Sequence, residues 1–283
     1  MPRSISLFLA TALVVLGFHS LQAQDPKPAP SGPHELLNAT LWVQKSAEWR
    51  GLCHQAYTGA RAQLDKALKT PAWTAALEQT SAFEKLPPAV ILDVDETVLD
   101  NSYYEARLIR DGGSYGPKTW DAWCKEATAT PIPGALEFCQ YAHKKGATVF
   151  YVTNRKSHLR EATRKNLVAQ GFPMREGVET VRTRDKQRDK GPRRIAIAKE
   201  YRILLLVGDN GSDFCSPLLA ETNAETRAVA DKHSAWWGGR WILLPNPMYG
   251  HWEANAVKRR WGARNEALRQ HLRREALVCD PKK

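Results

Sequence analysis

Asp93 and Asp95 stand two residues apart at the end of the apolar run Ala89-Val-Ile-Leu92, with Thr97 two further on. In an extended chain the period of two puts both carboxylates on one side. Two carboxylates at the carboxyl end of a buried parallel strand open into the crevice where α/β sheets place ligands. Their repulsion and lost hydration favour a cation between them. The plainer alternative is a turn with solvated acids. Two further apolar runs weigh against it, because each also ends in polar residues: Thr153-Asn154-Arg155 after one, and Gly208-Asp-Asn-Gly-Ser-Asp213 after the other. In a parallel sheet these ends share an edge, so Asp93, Asp95, Thr153 and Asp209 converge. Carboxylates gathered with few nitrogen donors suit a hard divalent cation, Mg²⁺ rather than Zn²⁺. The basic stretch 186–194 can supply a fixed positive charge for a bound anion.

The elements that must position these groups read as an α/β chain. Apolar strands are expected from Ala89, over 147–152, over 203–207 and over 241–244, alternating with helices at 133–145, 157–170 and 190–201. That alternation specifies a Rossmann-like parallel sheet with right-handed crossovers. A further helix is expected from about residue 211 towards His233. Residues 34–69 read as one long helix ended by Pro71, within an N-terminal helical segment over 34–86. The core is expected over 87–252. An insertion at about 101–130, carrying Trp120 and Trp123, is too long for a simple connection and is read as a cover over the strand end. Residues 253–283 form a basic tail, read as a helix to Val278 that packs with the N-terminal helices as a smaller helical domain.

The first 23 residues have the character of a cleaved export signal: Arg3, the apolar run 5–18, then Leu21-Gln22-Ala23. A flexible linker over 24–33 follows. The expectation is a periplasmic or secreted protein without a stable membrane anchor. The net charge of +11 is a weak signal, since the basic stretches at 182–194 and 258–274 lack the aromatic interleaving of a single-strand binder, and no nucleic acid polymer is expected as partner. Five cysteines without a CxxC pair argue against structural zinc; pairing among them is left open, as is a homodimer. No His lies beside a Ser or Cys in a nucleophile motif, so triad chemistry is unsupported; His143, His158 and His251 are read as surface or packing residues.

The longer strings Leu92-Asp-Val-Asp-Glu-Thr-Val-Leu-Asp-Asn101, Val149-Phe-Tyr-Val-Thr-Asn-Arg155, Val207-Gly-Asp-Asn-Gly-Ser-Asp-Phe214 and Leu244-Pro-Asn-Pro-Met-Tyr-Gly-His-Trp252 resemble the class C acid phosphatases of the haloacid dehalogenase (HAD) superfamily, which include the lipoprotein e type of 5′-nucleotidase. The resemblance implies that Asp93 is the nucleophile and forms an aspartyl phosphate, and that Asp95 is general acid and base. It implies Mg²⁺ held by Asp93, the Asp95 backbone carbonyl, Asp209 and, through water, Asp213. Thr153, Asn154 and Lys190 would hold the phosphate, with Lys186 the alternative lysine. Trp120 would stack on the substrate's organic part, with Tyr249 or Trp252 as the opposite wall. The implied substrates are small phosphomonoesters, nucleoside monophosphates among them. Two other functions stay open: a nucleotide- or haem-binding surface protein on a phosphatase scaffold, and phosphotransfer to alcohol acceptors. The lipoprotein members carry a Cys just after the signal, and here the first is Cys53, so no lipid anchor is expected.

Overall fold

The computed structural model describes residues 34–80, 82–260 and 266–280. The expected signal and linker lie outside the described residues. The chain runs α1 (Leu37–Lys45), α2 (Ala47–Leu68), β1 (Pro88–Leu92), β2 (Leu99–Asp100), α3 (Ser102–Asp111), α4 (Pro117–Glu126), β3 (Thr130–Pro131), α5 (Ala135–Lys144), β4 (Thr148–Lys156), α6 (Arg160–Ala169), β5 (Val181–Arg184), α7 (Gly191–Ala198), β6 (Arg202–Gly208), α8 (Asn223–Lys232), β7 (Trp241–Leu243), α9 (His251–Ala256) and α10 (Glu266–Glu275).

Five strands form a parallel sheet in the order β5-β4-β1-β6-β7. The chain leaves β1 for β4 and β5 on one side, then returns to β6 and β7 on the other. The reversal of direction falls at β1, and its carboxyl end therefore faces the crevice such a switch creates. Strand alternation feeds two cores: Val90 and Leu92 of β1 enter one, Ala89 and Ile91 the other. β6 keeps its register through a bulge that lets Ala89 pair with Ile203 and Val90 with Leu205. β5 was not expected, because Val181-Arg-Thr-Arg184 reads as charged. Its Val181 and Thr183 are buried while Arg182 and Arg184 are partly exposed, the alternation of an edge strand hidden in a basic run.

The first long helix is broken. Ser46 is extended (ψ 142°), and its hydroxyl caps α2 by accepting from the Trp49 N–H at 3.1 Å. Beyond the break, Trp49, Cys53, Tyr57, Ala60, Leu64 and Ala67 bury one stripe of α2 into the same core as β1. α2 therefore belongs to the layer over the sheet, touching β6, β7 and α5. The C-terminal helix is broken too: Lys258 and Arg259 take φ of 49° and 56° after α9, and α10 begins at Glu266. α10 still meets the start of the described chain, since Arg273 contacts Glu35 at 2.6 Å and Glu253 at 2.5 Å. Residues 211–219 form short 3-10 turns where a helix was expected, and α8 starts at Asn223 under a Thr222–Glu225 capping box.

The insertion is a helical cap on a narrow stem. β2 and β3 pair antiparallel, Leu99 with Pro131 and Asp100 with Thr130, and α3 and α4 rise between them. All five cysteines carry free thiols, four of them buried. Burial pushes the Cys53 and Cys124 thiols up to about 12, which leaves them inert as nucleophiles.

Candidate active site

The loop after β1 is fixed by backbone bonds before any side chain acts. Asp93 N–H donates to Val207 at 2.9 Å, extending the β1–β6 pairing. Val98 and Leu99 N–H both donate back to the Val94 carbonyl at 2.9 Å, closing a tight turn in which Glu96 adopts φ 56°. Tyr57 of α2 donates its hydroxyl to the Thr97 carbonyl at 2.6 Å and so braces the turn from below.

Within this frame three carboxylates meet: oxygens of Asp93, Asp209 and Asp213 lie within 4.8 Å of one another. Asp209 follows β6, and its two oxygens accept from Thr97 Oγ1 (3.2 Å) and Asn246 Nδ2 (2.8 Å). Asp213 is folded back by a capping box, accepting from the Asn210 N–H at 3.0 Å. Its carboxylate occupies the space a side chain at Gly208 would need, so that position requires glycine. Lys190, at the start of α7, reaches between Asp93 and Asp213, 2.7 Å from the latter.

The electrostatics follow from three buried acids sharing one ammonium. Burial, with Asp213 beside it, pushes Asp209 up to about 7. Burial holds Asp93 well above its ordinary value, outweighing the pull of Lys190, and Asp213 and Asp209 add to the effect. Lys190 loses hydration, yet Asp213 and Asp93 keep its ammonium above the usual value. The excess of negative charge over Lys190, in an all-oxygen donor set, fits a hard divalent cation held by Asp93, Asp209 and Asp213.

The Asp95 carboxylate is engaged elsewhere. Arg155, fully buried, grips its Oδ1 through Nε at 2.9 Å and Nη2 at 2.7 Å. Asn101 donates to the same oxygen at 3.0 Å and Thr153 donates its hydroxyl to Oδ2 at 3.3 Å. The Thr153 side chain, expected at the phosphate, is thus buried behind Asp95 and also accepts from the Arg155 N–H. Arg193 donates to the Thr153 carbonyl at 2.5 Å and to Asn154 Oδ1 at 2.8 Å, leaving the Asn154 amide nitrogen as the available donor.

A cavity of about 470 Å³ collects most of the expected residues: Asp93, Asp95, Trp120, Asn154, Lys190, Asp209, Asp213 and Tyr249 line it. Lys190 is in the lining, whereas Lys186, the alternative lysine, is exposed and outside it. Trp252 is also outside it and 49% exposed, whereas Tyr249 lines it together with the cap residue Trp120. Trp120 meets Tyr104 edge-on at 5.1 Å and has the Arg155 guanidinium over its ring at 5.5 Å. His158 pairs with Asp121 at the surface, and His251, at the cavity edge, bonds the Ala220 carbonyl at 2.7 Å. Sequence reasoning assigned no role to Arg155, Asn101, Arg193 or Asn246, although Arg155, Asn101 and Asn246 lie inside the strings quoted above and Arg193 lies in the basic stretch 186–194. Glu105 and Tyr115, which also line the cavity, carried no signal.

Comparison with known proteins gives the family. The family model of acid phosphatases in HAD superfamily subfamily IIIB matches residues 29–252. The class C acid phosphatase from Bacillus anthracis is 32% identical, covering 87% of this chain and 97% of that chain with a TM-score of 0.75. Its structure with tungstate bound aligns with a TM-score of 0.74 at 31% identity. Acid phosphatase 1 of Solanum lycopersicum is 28% identical over 166 residues, 56% of this chain; the chain spans 57% of that relative's length. The matched region contains β1, β4 and β6 with the acidic and basic groups at their ends, and the chain belongs to the HAD subfamily IIIB acid phosphatases.

Proposed function

We propose that the chain hydrolyses phosphomonoesters, nucleoside monophosphates and other small organic phosphates among them, through a phosphoryl group carried on Asp93. The observation that carries this reading is the meeting of Asp93, Asp209 and Asp213 around Lys190 in the cavity that also holds a separately anchored Asp95. Two carboxyl groups beside one strand end have been given different surroundings and therefore different tasks.

Asp93 attacks phosphorus, forming the aspartyl phosphate as the ester bond breaks. Asp95 gives its proton to the departing oxygen, held in place by Arg155 and Asn101. It then takes a proton from the water that attacks the phosphoenzyme, which frees phosphate and restores Asp93. Lys190 and the Asn154 amide bind the equatorial oxygens, where charge accumulates. Asp93, Asp209 and Asp213, with the Asp95 backbone carbonyl, would hold Mg²⁺, which would supply Lewis-acid neutralisation of the phosphoryl oxygens when bound. Trp120 and Tyr249 hold the organic part. That the Bacillus anthracis relative was solved with tungstate, a tetrahedral oxyanion, supports the phosphoryl assignment.

No helix among the described residues is long and apolar enough to cross a membrane; release into the periplasm or medium after cleavage behind Ala23 is proposed from the sequence of residues 1–23. Assay of the mature chain on a panel of phosphomonoesters, with Mg²⁺ and with chelator, tests the proposal. Mg²⁺-dependent phosphate release supports it; haem or nucleotide binding without turnover in any metal would replace it.

A further inference from the structure

Most arginines near the cavity are spent on a partner: Arg155 on Asp95, Arg193 on Thr153 and Asn154, Arg194 on Glu78. Arg184 and Arg188 are not. Both line the cavity, and neither guanidinium forms an ion pair or hydrogen bond with a described residue. The Arg184 Nε is buried and unpartnered. Arg184 ends β5, in register with Lys156 at the end of β4, so it stands on the same sheet edge as Asn154. Arg188 follows on the loop before Lys190. Both act on Tyr115 of the cap: burial holds its hydroxyl above the ordinary value, and Arg188 and Arg184 pull it back. The nearby carboxylates are committed elsewhere. Asp189 accepts from the Gly191 N–H and the Ser216 hydroxyl at 2.8 and 2.9 Å, Asp121 pairs with His158, and exposed Asp185 pairs with neither arginine.

Two like charges lining one cavity near Tyr115, one of them with a buried unpaired N–H, lose free energy unless an anion joins them. We propose that Arg184 and Arg188, with the Tyr115 hydroxyl, form a second anion subsite for a phosphate on the organic part of the substrate, so that the cavity takes organic bisphosphates in preference to monophosphates. Guanidinium forks suit phosphate because their N–H groups match its oxygens in pairs. The reacting phosphate already has Lys190 and Asn154, so the outer pair serves a different group. This inference rests on the phosphatase reading above.

The test separates the two. Binding is titrated on the Asp93→Asn protein, which does not turn over, with adenosine 5′-monophosphate and adenosine 3′,5′-bisphosphate. The bisphosphate should bind at least roughly tenfold tighter, about what one charge-assisted hydrogen bond contributes. Adding Arg184→Gln and Arg188→Gln should bring the two ligands within about threefold of each other while monophosphate affinity moves by less than about threefold. Equal affinities before those changes, or an equal loss on both ligands after them, would overturn the subsite and leave the arginines as general attractors of anions. Arg188→Gln alone, at an exposed position, carries the same comparison should the paired variant not fold. Turnover of the monophosphate by the unmodified protein is read in parallel: its absence counts against the phosphatase reading, whereas the binding ratio decides the subsite.

Discussion

At the scale of single residues, the arrangement rests on keeping two carboxylates unlike. Asp93 shares a buried cluster with Asp209, Asp213 and Lys190; Asp95 is held by Arg155, Asn101 and Thr153. In the proposed mechanism Arg155 is a positioning residue, acting through Asp95. With Arg155→Met, Asp95 loses its fork and a buried charge loses its partner, so the protein should melt lower. Proton delivery to the leaving oxygen should lose about 10²–10⁴ in rate. An alkyl phosphate, whose leaving group needs that proton, should suffer most, and p-nitrophenyl phosphate, with a stable leaving group, least. Arg155→Lys restores the charge without the fork and should recover stability more than rate. Equal losses on both substrates would reduce Arg155 to packing. Asp93, Asp95, Asp209 and Asp213 were legible because they end apolar runs. The tasks of Arg155, Arg193 and Asn246 were not, because each acts on a residue tens of positions away in sequence, and spacing says nothing of such partners.

At the scale of elements, β1, β4, β6 and β7 were readable as runs of buried apolar residues, and the stretch 101–130 as a cover. β5 was not, since its alternation is carried by Arg side chains. The break at Ser46 was missed because the apolar stripe continues across it; Ser46 followed by Ala-Glu was the available capping signal. The cap brings Trp120 to the cavity that Tyr249 also lines. If Trp120 stacks on a nucleobase, Trp120→Ala forfeits roughly 1–3 kcal/mol, about a five- to 150-fold loss of affinity. KM for a nucleoside monophosphate should rise with little change in kcat, and glycerol phosphate, which has no ring, should be nearly unaffected. Similar losses on both, with a lower melting temperature, would assign Trp120 to packing against Tyr104.

At the scale of the whole molecule, residues from both ends of the described chain, Glu35, Leu36 and Arg269, line the cavity. Arg273 of α10 bridges Glu35 and Glu253, and Glu253 faces Glu105 of the cap. Burial, with Glu253 adding to it, pushes Glu105 from 4.5 up to about 8. A carboxyl whose folded value lies above its unfolded one holds its proton more tightly when folded. Its favourable contribution is full below about 4.5 and is lost as the pH rises through about 8. Glu105→Gln should therefore melt above the parent at pH 8, with the advantage shrinking towards pH 4.5. An advantage of the same size at both pH values would contradict this. The upward push that burial gives Asp93 and Asp209 is likewise a property of the assembled sheet edge, where the ends of β1 and β6, far apart in sequence, are brought to one point. The most direct test of the central claim is to quench the protein in acid during turnover with Mg²⁺ and map the phosphorylated peptide by mass spectrometry. Phosphate on Asp93, absent from the Asp93→Asn protein whose turnover falls by several orders of magnitude, is the predicted result. Phosphate on another residue, or an Asp93→Asn protein working within about tenfold of the parent, would contradict it.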